Sequence, residues 1–175
     1  MCRRKVFATA KNIYDIDVDF FKSIGIKNIL IDLDNTLDSY KLFHPTKPTI
    51  DLISKLKKTY FIAIVSNNHG KRVKTYAKDL DVPCIANAKK PFARHMNKFI
   101  AENHLIKDET VLIGDQMITD VGAANRVGIK VILTEKLVKE DQWTTRINRI
   151  FGRRIKKHQL KKGLLKDWRT FYGKA

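Results

Sequence analysis

The stretch Asn-Ile-Leu-Ile-Asp-Leu-Asp-Asn-Thr-Leu-Asp at residues 28–38 decides the fold of this chain. Its aliphatic residues 29–31 are typical of a buried strand in a parallel sheet. Asp32 and Asp34 follow two residues apart, so in an extended chain both carboxylates point to the same side. Ligands bind at this carboxyl edge in open α/β sheets. Two carboxylates this close require a cation or a retained proton, although Asp and Asn are also common in turns.

Further hydrophobic runs occur at 60–65, 83–86, 110–113 and 129–133, and each predicts another strand. Helical periodicity is found between the runs, at 49–58, 70–80 and 119–127 and in a stretch that ends near His104. This alternation predicts a five-stranded parallel sheet with helices on both faces. No gap between predicted elements is long enough for a cap domain. A short helix is also predicted between Asp15 and Gly25.

The composition indicates one globular domain with an unusual charge. The 175 residues carry a net charge of +17, which implies attraction to an anionic partner such as nucleic acid, a lipid surface or a phosphorylated substrate. Two cysteines, far apart, argue for a reducing compartment. The basic start has no apolar stretch behind it, and no run approaches the ~18 apolar residues of a membrane span. We therefore expect a cytoplasmic protein.

Polar side chains follow four of the predicted strands. They are Asp32 and Asp34, then Ser66, then Lys90, and then Asp115 with Asp120. Several carboxylates facing one cleft suit Mg²⁺, which takes oxygen ligands. A hydroxyl and an ammonium bind phosphate oxygens, and an aspartate can act as a covalent nucleophile. These residue types at one edge of a sheet predict phosphoryl transfer.

The motifs resemble those of the haloacid dehalogenase (HAD) superfamily of phosphatases. The matching features are Asp-x-Asp-x-Thr at 32–36, Ser66 after a hydrophobic strand, Lys90 before a proline, and Gly-Asp-x-x-x-Thr-Asp at 114–120. A finer resemblance is to the small, capless YqeG family, and it includes Val-Ser-Asn-Asn at 65–68 and Ile-Tyr-Asp-Ile at 13–16. The resemblance implies a three-layer Rossmann-like (HAD-like) fold. The YqeG family is itself similar to phosphatidylglycerophosphate phosphatases.

The resemblance also implies roles for individual residues. Asp32 would be the nucleophile and Asp34 the general acid and base. Ser66 and Lys90 would bind the phosphoryl group. Thr36 is expected to contact a phosphate oxygen or to brace its loop. Asn67 is assigned to the substrate site, with capping of the following helix by Asn67, Asn68 or His69 as the favoured alternative.

For the metal, the resemblance implies a Mg²⁺ site formed by four aspartates. Asp32, the backbone carbonyl of Asp34, and Asp115 would be ligands. Asp120 would lie in the outer shell of the ion or bind it through water.

The C-terminal end is strongly basic. Residues 136–175 hold 13 Lys or Arg and three acids, a net charge of +10. Hydrophobic positions 143, 147, 150, 151 and 155 share one helical face, and Leu160, Leu164, Trp168 and Tyr172 continue it. Such a helix binds an anionic membrane surface or covers the sheet, and up to residue 155 the two interpretations are equally favoured. Beyond Leu160 we favour a membrane or partner. Gly152 and Gly163 predict a broken helix.

We therefore divide the chain into a lead-in at 1–27, a phosphatase domain at 28–158 and a basic extension at 159–175. The expected function is Mg²⁺-dependent phosphomonoester hydrolysis through an aspartyl-phosphate, with phosphatidylglycerophosphate as the substrate that the resemblance favours. Peripheral attachment to the inner face of the membrane would follow. Two alternatives stay open: a phosphatase acting on nucleotides or nucleic-acid ends, and a nucleic-acid or ribosome-associated binding module. Oligomeric state is left open.

Overall fold

The structure is a computed structural model that describes residues 4–138 and 143–172, with the backbone alone for 143–150. Within these ranges the strands are β1 (Ala8–Ala10), β2 (Asn28–Ile31), β3 (Phe61–Val65), β4 (Cys84–Ile85), β5 (Thr110–Gly114) and β6 (Lys130–Thr134). The α-helices are α1 (Val18–Ser23), α2 (Lys47–Lys57), α3 (Gly70–Asp79), α4 (Arg94–Glu102), α5 (Asp120–Val127) and α6 (Trp143–Lys161).

The strands form one parallel sheet in the order β1-β6-β5-β2-β3-β4. The predicted fold class is confirmed, but the described sheet has six strands and not five. The strand that the sequence did not reveal is β1, which pairs with β6 at the sheet edge through Ala8 and Ile132. Its sequence Ala-Thr-Ala lacks the aliphatic run that marks the other strands, so only its tertiary pairing defines it.

Side chains of each central strand alternate between two hydrophobic layers. In β2, Ile29 and Ile31 join the cluster that contains α1, α2 and α3, whereas Leu30 joins the cluster that contains α4 and α5. Because side chains alternate with a two-residue period, the central strands bury one set of side chains under each of the two helical layers. The predicted helix before β2 is confirmed as α1, which Asp17 caps by accepting a hydrogen bond from the backbone N–H of Asp19.

The carboxyl edge of the sheet is open. In the described chain, residues 32–46 between β2 and α2 contain no helix or strand, and neither do residues 86–93 between β4 and α4. These are the two connections next to the predicted catalytic motifs. The expected absence of a cap domain therefore agrees with the described structure.

Helix α6 runs without interruption through Gly152, so the predicted break at that residue is wrong. Gly152 is buried, and a Cβ built there would lie 3.5 Å from Met117, because the helix packs closely on that loop. The helix ends before Gly163, which has a positive φ of 62°. Ile155 packs against the core while Phe151 is exposed. The side chains of Trp143, Ile147 and Ile150 lie outside the described residues. No described helix is long and apolar enough to span a membrane.

The segment after α6 packs on the protein core. Trp168 is only 5% exposed, and its ring centroid lies 5.2 Å from that of Phe20. The backbone N–H of Thr9 donates to the carbonyl oxygen of Lys166 at 2.8 Å. The expectation that residues beyond Leu160 face a membrane or partner is therefore wrong for Trp168, because this ring fills a gap beside α1. The proposed division at 27 and 158 stays a prediction, although the flanking ranges contribute to the same core as β2.

Substitution of Trp168 by alanine should strongly destabilise the protein. Loss of a buried Trp side chain costs about 3–5 kcal/mol in the free energy of unfolding. The matched control is Leu160→Ala, since Leu160 is 57% exposed and such surface changes stay within about 0.5 kcal/mol. Urea unfolding followed by circular dichroism measures both. Equal stability of the two variants would contradict the packing of this segment.

Candidate active site

The predicted site residues meet at the carboxyl edge of the sheet. Asp32 follows β2, Ser66 follows β3, and Asp115 follows β5, and these three strands are neighbours in the sheet. Lys90 enters from the connection between β4 and α4. The topology thus brings together groups that are distant in the sequence.

Lys90 is buried among acids. Its Nζ lies 2.5 Å from Asp32 Oδ1 and 2.7 Å from Asp120 Oδ1, and it donates to the carbonyl oxygen of Val65 at 3.0 Å. Burial alone would lower the pKa of Lys90, but the carboxylates of Asp120 and Asp32 outweigh it and hold that pKa above its ordinary value. Lys90 therefore carries a positive charge beside the predicted nucleophile.

Asp32 lies in a crowded acidic environment. Burial raises the pKa of its carboxyl well above the usual value, and the nearby carboxylates of Asp120, Asp115 and Asp34 act in the same direction. Lys90 opposes this shift. The second oxygen of Asp32, Oδ2, accepts a hydrogen bond from the hydroxyl of Thr36 at 3.2 Å. In this structure Thr36 thus braces the loop that carries Asp32, which is one of its two expected roles.

Three of the four predicted metal residues come together. One carboxylate oxygen from each of Asp32, Asp115 and Asp120 lies within 4.8 Å of the others, so the group could hold a metal ion. The carboxylate of Asp34 points elsewhere. It lies 2.8 Å from an Arg72 guanidinium nitrogen.

Asp34 is held by a set of donors from the β3–α3 region. Its Oδ2 accepts hydrogen bonds from Ser66 Oγ at 3.2 Å and from Asn68 Nδ2 at 2.8 Å. Arg72 also donates to the backbone carbonyls of Leu42 and Ser39. Sequence reasoning missed Arg72, because a cation near the start of a basic helix is normally a solvent-exposed residue. Only the position of α3 beside the 32–46 loop shows its contact with Asp34.

Asn67 holds the backbone of Lys90. The backbone N–H of Lys90 donates to Asn67 Oδ1 at 2.7 Å, and Asn67 Nδ2 donates to the carbonyl oxygen of Lys90 at 3.0 Å. The residue preceding α3 is His69, whose side chain makes no capping hydrogen bond. The favoured alternative, helix capping by this group, is therefore wrong. Asn67 and Asn68 instead position Lys90 and Asp34.

A second residue that the sequence did not reveal is Asp38, which anchors the loop after β2. Its buried carboxylate accepts hydrogen bonds from Tyr76 at 2.5 Å, from Thr49 at 2.9 Å and from both the N–H and the hydroxyl of Thr46 at 3.0 Å. Burial and the Asp38 contact raise the pKa of Tyr76, so its hydroxyl remains a neutral donor. The backbone carbonyl oxygen of Asp38 accepts a hydrogen bond from the N–H of Asn35 at 2.8 Å, and Asn35 is the neighbour of Asp34 in the sequence.

Gly114 allows Asp120 to approach the site. A Cβ at Gly114 would lie 2.5 Å from Asp120 Cγ, which is shorter than any van der Waals contact. Asp120 is fully buried, and its Oδ2 accepts a hydrogen bond from the backbone N–H of Gln116 at 2.9 Å. The glycine is therefore a steric requirement of the site.

Comparisons with known proteins agree with this arrangement. The family model described as Mitochondrial PGP phosphatase matches residues 5–138. The chain is 36% identical over 154 residues to the Probable phosphatase YqeG of Bacillus subtilis (strain 168), a match that covers 87% of this chain and 90% of that protein. It is 26% identical over 168 residues to Phosphatidylglycerophosphate phosphatase 1, chloroplastic/mitochondrial, of Arabidopsis thaliana, covering 89% of this chain but 48% of that relative.

Solved structures share the fold. A HAD family enzyme from Bacteroides thetaiotaomicron, solved as an aspartate-to-alanine mutant in complex with magnesium and inorganic phosphate, aligns with a TM-score of 0.54 at 15% identity, covering 70% of this chain and 100% of that one. A predicted HAD-like family hydrolase from Porphyromonas gingivalis aligns with a TM-score of 0.52 at 15% identity, covering 73% and 98%.

The related sequences identify a phosphatase, and the parallel sheet with acids and a lysine at its edge gives it a HAD-like fold. More narrowly, the chain belongs to the family described as mitochondrial PGP phosphatase, whose model matches most of its length. The resemblance found in the sequence motifs is thereby confirmed.

Replacement of Gly114 by alanine should reduce phosphatase activity while the protein stays folded. The added Cβ displaces Asp120, which is a partner of Lys90. Misplacement of an active-site group by about 1 Å lowers kcat/KM on the order of 10²-fold. Gly70→Ala is the control, because its Cβ would meet only Lys74 Cε at 3.8 Å. Hydrolysis of a generic phosphate ester is the assay. Wild-type activity in Gly114→Ala would show that the position of Asp120 is not critical.

Proposed function

We propose that this phosphatase removes the terminal phosphate of phosphatidylglycerophosphate, acting through an aspartyl-phosphate on Asp32. The observation that carries the chemistry is the buried contact of Lys90 with Asp32 at an uncapped sheet edge. The substrate is supported by the family match and by the Arabidopsis relative of that name.

We assign Mg²⁺ to the cluster of Asp32, Asp115 and Asp120, with the backbone carbonyl of Asp34 as a further ligand. The three side chains offer only carboxylate oxygens, which is the donor chemistry of Mg²⁺. In this proposal Asp120 lies in the outer shell of the ion, where its carboxylate also pairs with Lys90. When bound, the ion would offset negative charge on the carboxylates and on the transferring group.

In the proposed reaction Asp32 acts as a carboxylate, a form that the charge of Lys90 favours. One of its oxygens attacks phosphorus, and the bond to the leaving oxygen breaks. Asp34 must enter this step protonated; it gives that proton to the leaving oxygen, so the alcohol leaves neutral, the phosphoryl group is attached to Asp32, and the resulting Asp34 carboxylate pairs with Arg72. Water then attacks the phosphorus of the aspartyl-phosphate. Asp34 takes the water proton, inorganic phosphate is released, and Asp32 is restored.

The remaining residues position these groups. Lys90 and Ser66 would bind oxygens of the phosphoryl group. The ammonium of Lys90 would also stabilise the negative charge that builds on that group. Arg72, Ser66 and Asn68 hold the Asp34 carboxylate, and Asn67 holds the Lys90 backbone. Thr36 and Asn67 would then act mainly by positioning Asp32 and Lys90.

Activity at an anionic membrane surface is part of the proposal. The net charge of +17 favours such a surface. Phe151 and Leu160 are exposed on α6 among Lys and Arg side chains, where they could contact lipid.

Purified protein with Mg²⁺ should release phosphate from phosphatidylglycerophosphate in vesicles faster than from nucleotides. Asp32→Asn should lower this rate on the order of 10³-fold or more, because the amide is not an effective nucleophile. Asp51→Asn, on the exposed side of α2, controls for the lost charge. Preferred hydrolysis of nucleotides would reject the lipid substrate, and activity of Asp32→Asn near the wild-type rate would reject the nucleophile.

Substitution of Asp115 by asparagine should weaken metal binding. Loss of one carboxylate from the cluster is expected to raise the Mg²⁺ concentration for half-maximal activity at least about tenfold. The Mg²⁺ dependence of the initial rate measures this directly. An unchanged dependence would place the metal away from Asp115.

A further inference from the structure

A groove lies beside the candidate metal cluster, between the end of β6 and helix α6. Its volume is about 280 Å³. The residues that line it include Asp115, Gln116, Thr134, Lys136, Arg153 and Lys156. Asp115 belongs both to this groove and to the carboxylate cluster, so the groove lies next to the proposed phosphatase site.

The lining of the groove is suited to an anion. Lys136, Arg153 and Lys156 supply three cations. The acids in the lining are Asp115, which belongs to the metal cluster, and Glu135, whose carboxylate is 66% exposed and 3.9 Å from Lys156. A long, exposed ion pair of this kind is weak, so it leaves Lys156 able to bind a stronger acceptor.

One buried polar atom of the groove residues also points to a ligand. Thr134 is 1% exposed, and its hydroxyl has no hydrogen-bond partner among the residues that the structure describes. Buried polar groups are nearly always hydrogen-bonded, so this hydroxyl indicates a missing polar partner. A hydroxyl can donate to a phosphate oxygen.

We propose that this groove binds a second phosphate group of the substrate while the terminal phosphate is held at Asp32 and Lys90. Arg153 and Lys156 would supply charge-assisted hydrogen bonds to it, and the Thr134 hydroxyl a neutral one. The inference rests on the proposed function, because it describes how the same site selects its phosphomonoester. The second phosphate is the phosphodiester of a phospholipid headgroup or the second phosphate of a nucleoside bisphosphate.

The test compares soluble probes with one and two phosphates, so membrane attachment does not contribute. The probes are glycerol 3-phosphate, glycerophosphoglycerol phosphate and adenosine 3′,5′-bisphosphate. Binding is measured by calorimetry with Mg²⁺ in the full chain carrying Asp32→Asn, so the readout does not need turnover. Arg153→Gln with Lys156→Gln is compared with Arg154→Gln and Lys157→Gln, which remove two exposed cations of the same helix outside the groove lining.

Loss of the groove cations should raise the Kd of a two-phosphate probe about tenfold or more. The Kd of glycerol 3-phosphate should change less than about twofold, because only long-range charge is lost. The control variant should leave the Kd values of both kinds of probe unchanged. The two-phosphate probe that responds identifies the source of the second phosphate.

Thr134→Val adds an arm in which no charge changes. It should raise the Kd of the two-phosphate probe severalfold. The unfolding midpoint of the free protein should not fall, because the hydroxyl has no partner to lose among the described residues. Equal Kd values for groove and control variants would overturn the proposal, and so would equal losses for one-phosphate and two-phosphate probes. If the wild-type enzyme hydrolyses none of the probes, the proposed function fails while the binding comparison still decides on the groove.

Discussion

The site depends on one buried cation. Lys90 is 6% exposed and contacts Asp32 from the end of β2 and Asp120 from the start of α5. A buried ammonium is costly unless it is paired and hydrogen-bonded, and removal of a partner leaves an uncompensated charge. These contacts therefore align the carboxylates of the candidate site and join three separate segments of the chain. This explains why Asn67 binds both backbone groups of Lys90, since the side chain can reach the acids only if its backbone is fixed.

Residues near both ends of the chain also hold the loop that follows β5. Arg4 donates to the carbonyl oxygens of Met117 and Ile118 at 3.0 and 2.7 Å, within the loop that carries Asp115. The carbonyl oxygen of Arg4 accepts from Gln159 on α6 at 2.6 Å. The basic start and the basic helix therefore support the loop of Asp115 in addition to adding charge. Part of the +17 net charge thus has a structural function, which a count of charges cannot reveal.

The sequence predicted the parts of the fold that depend on local periodicity and on motif order. The central strands, the helices between them and the meeting of Asp32, Lys90 and Asp115 at one edge follow from alternation and connection rules. The sequence could not place Trp168, because an aromatic residue among lysines is common to membrane-binding and core-packing segments. Arg72 was missed, and the capping interpretation of Asn67 was wrong, for a related reason. Their partners are far away in the sequence, and only the tertiary fold determines which of their local alternatives is realised.

An uncapped edge leaves the question of what surrounds the substrate during the reaction. In capped enzymes a second domain excludes water, and here the described connections after β2 and β4 are too short for that. These two connections instead expose Phe43 and Phe92, which are 54% and 67% accessible. Exposed aromatic rings beside a basic surface suit contact with a lipid interface. In the proposed function the bilayer would shield the open edge, and the basic groove beside Asp115 would select the headgroup. The protein would then select the headgroup, and the membrane in which the substrate lies would shield the reaction from water.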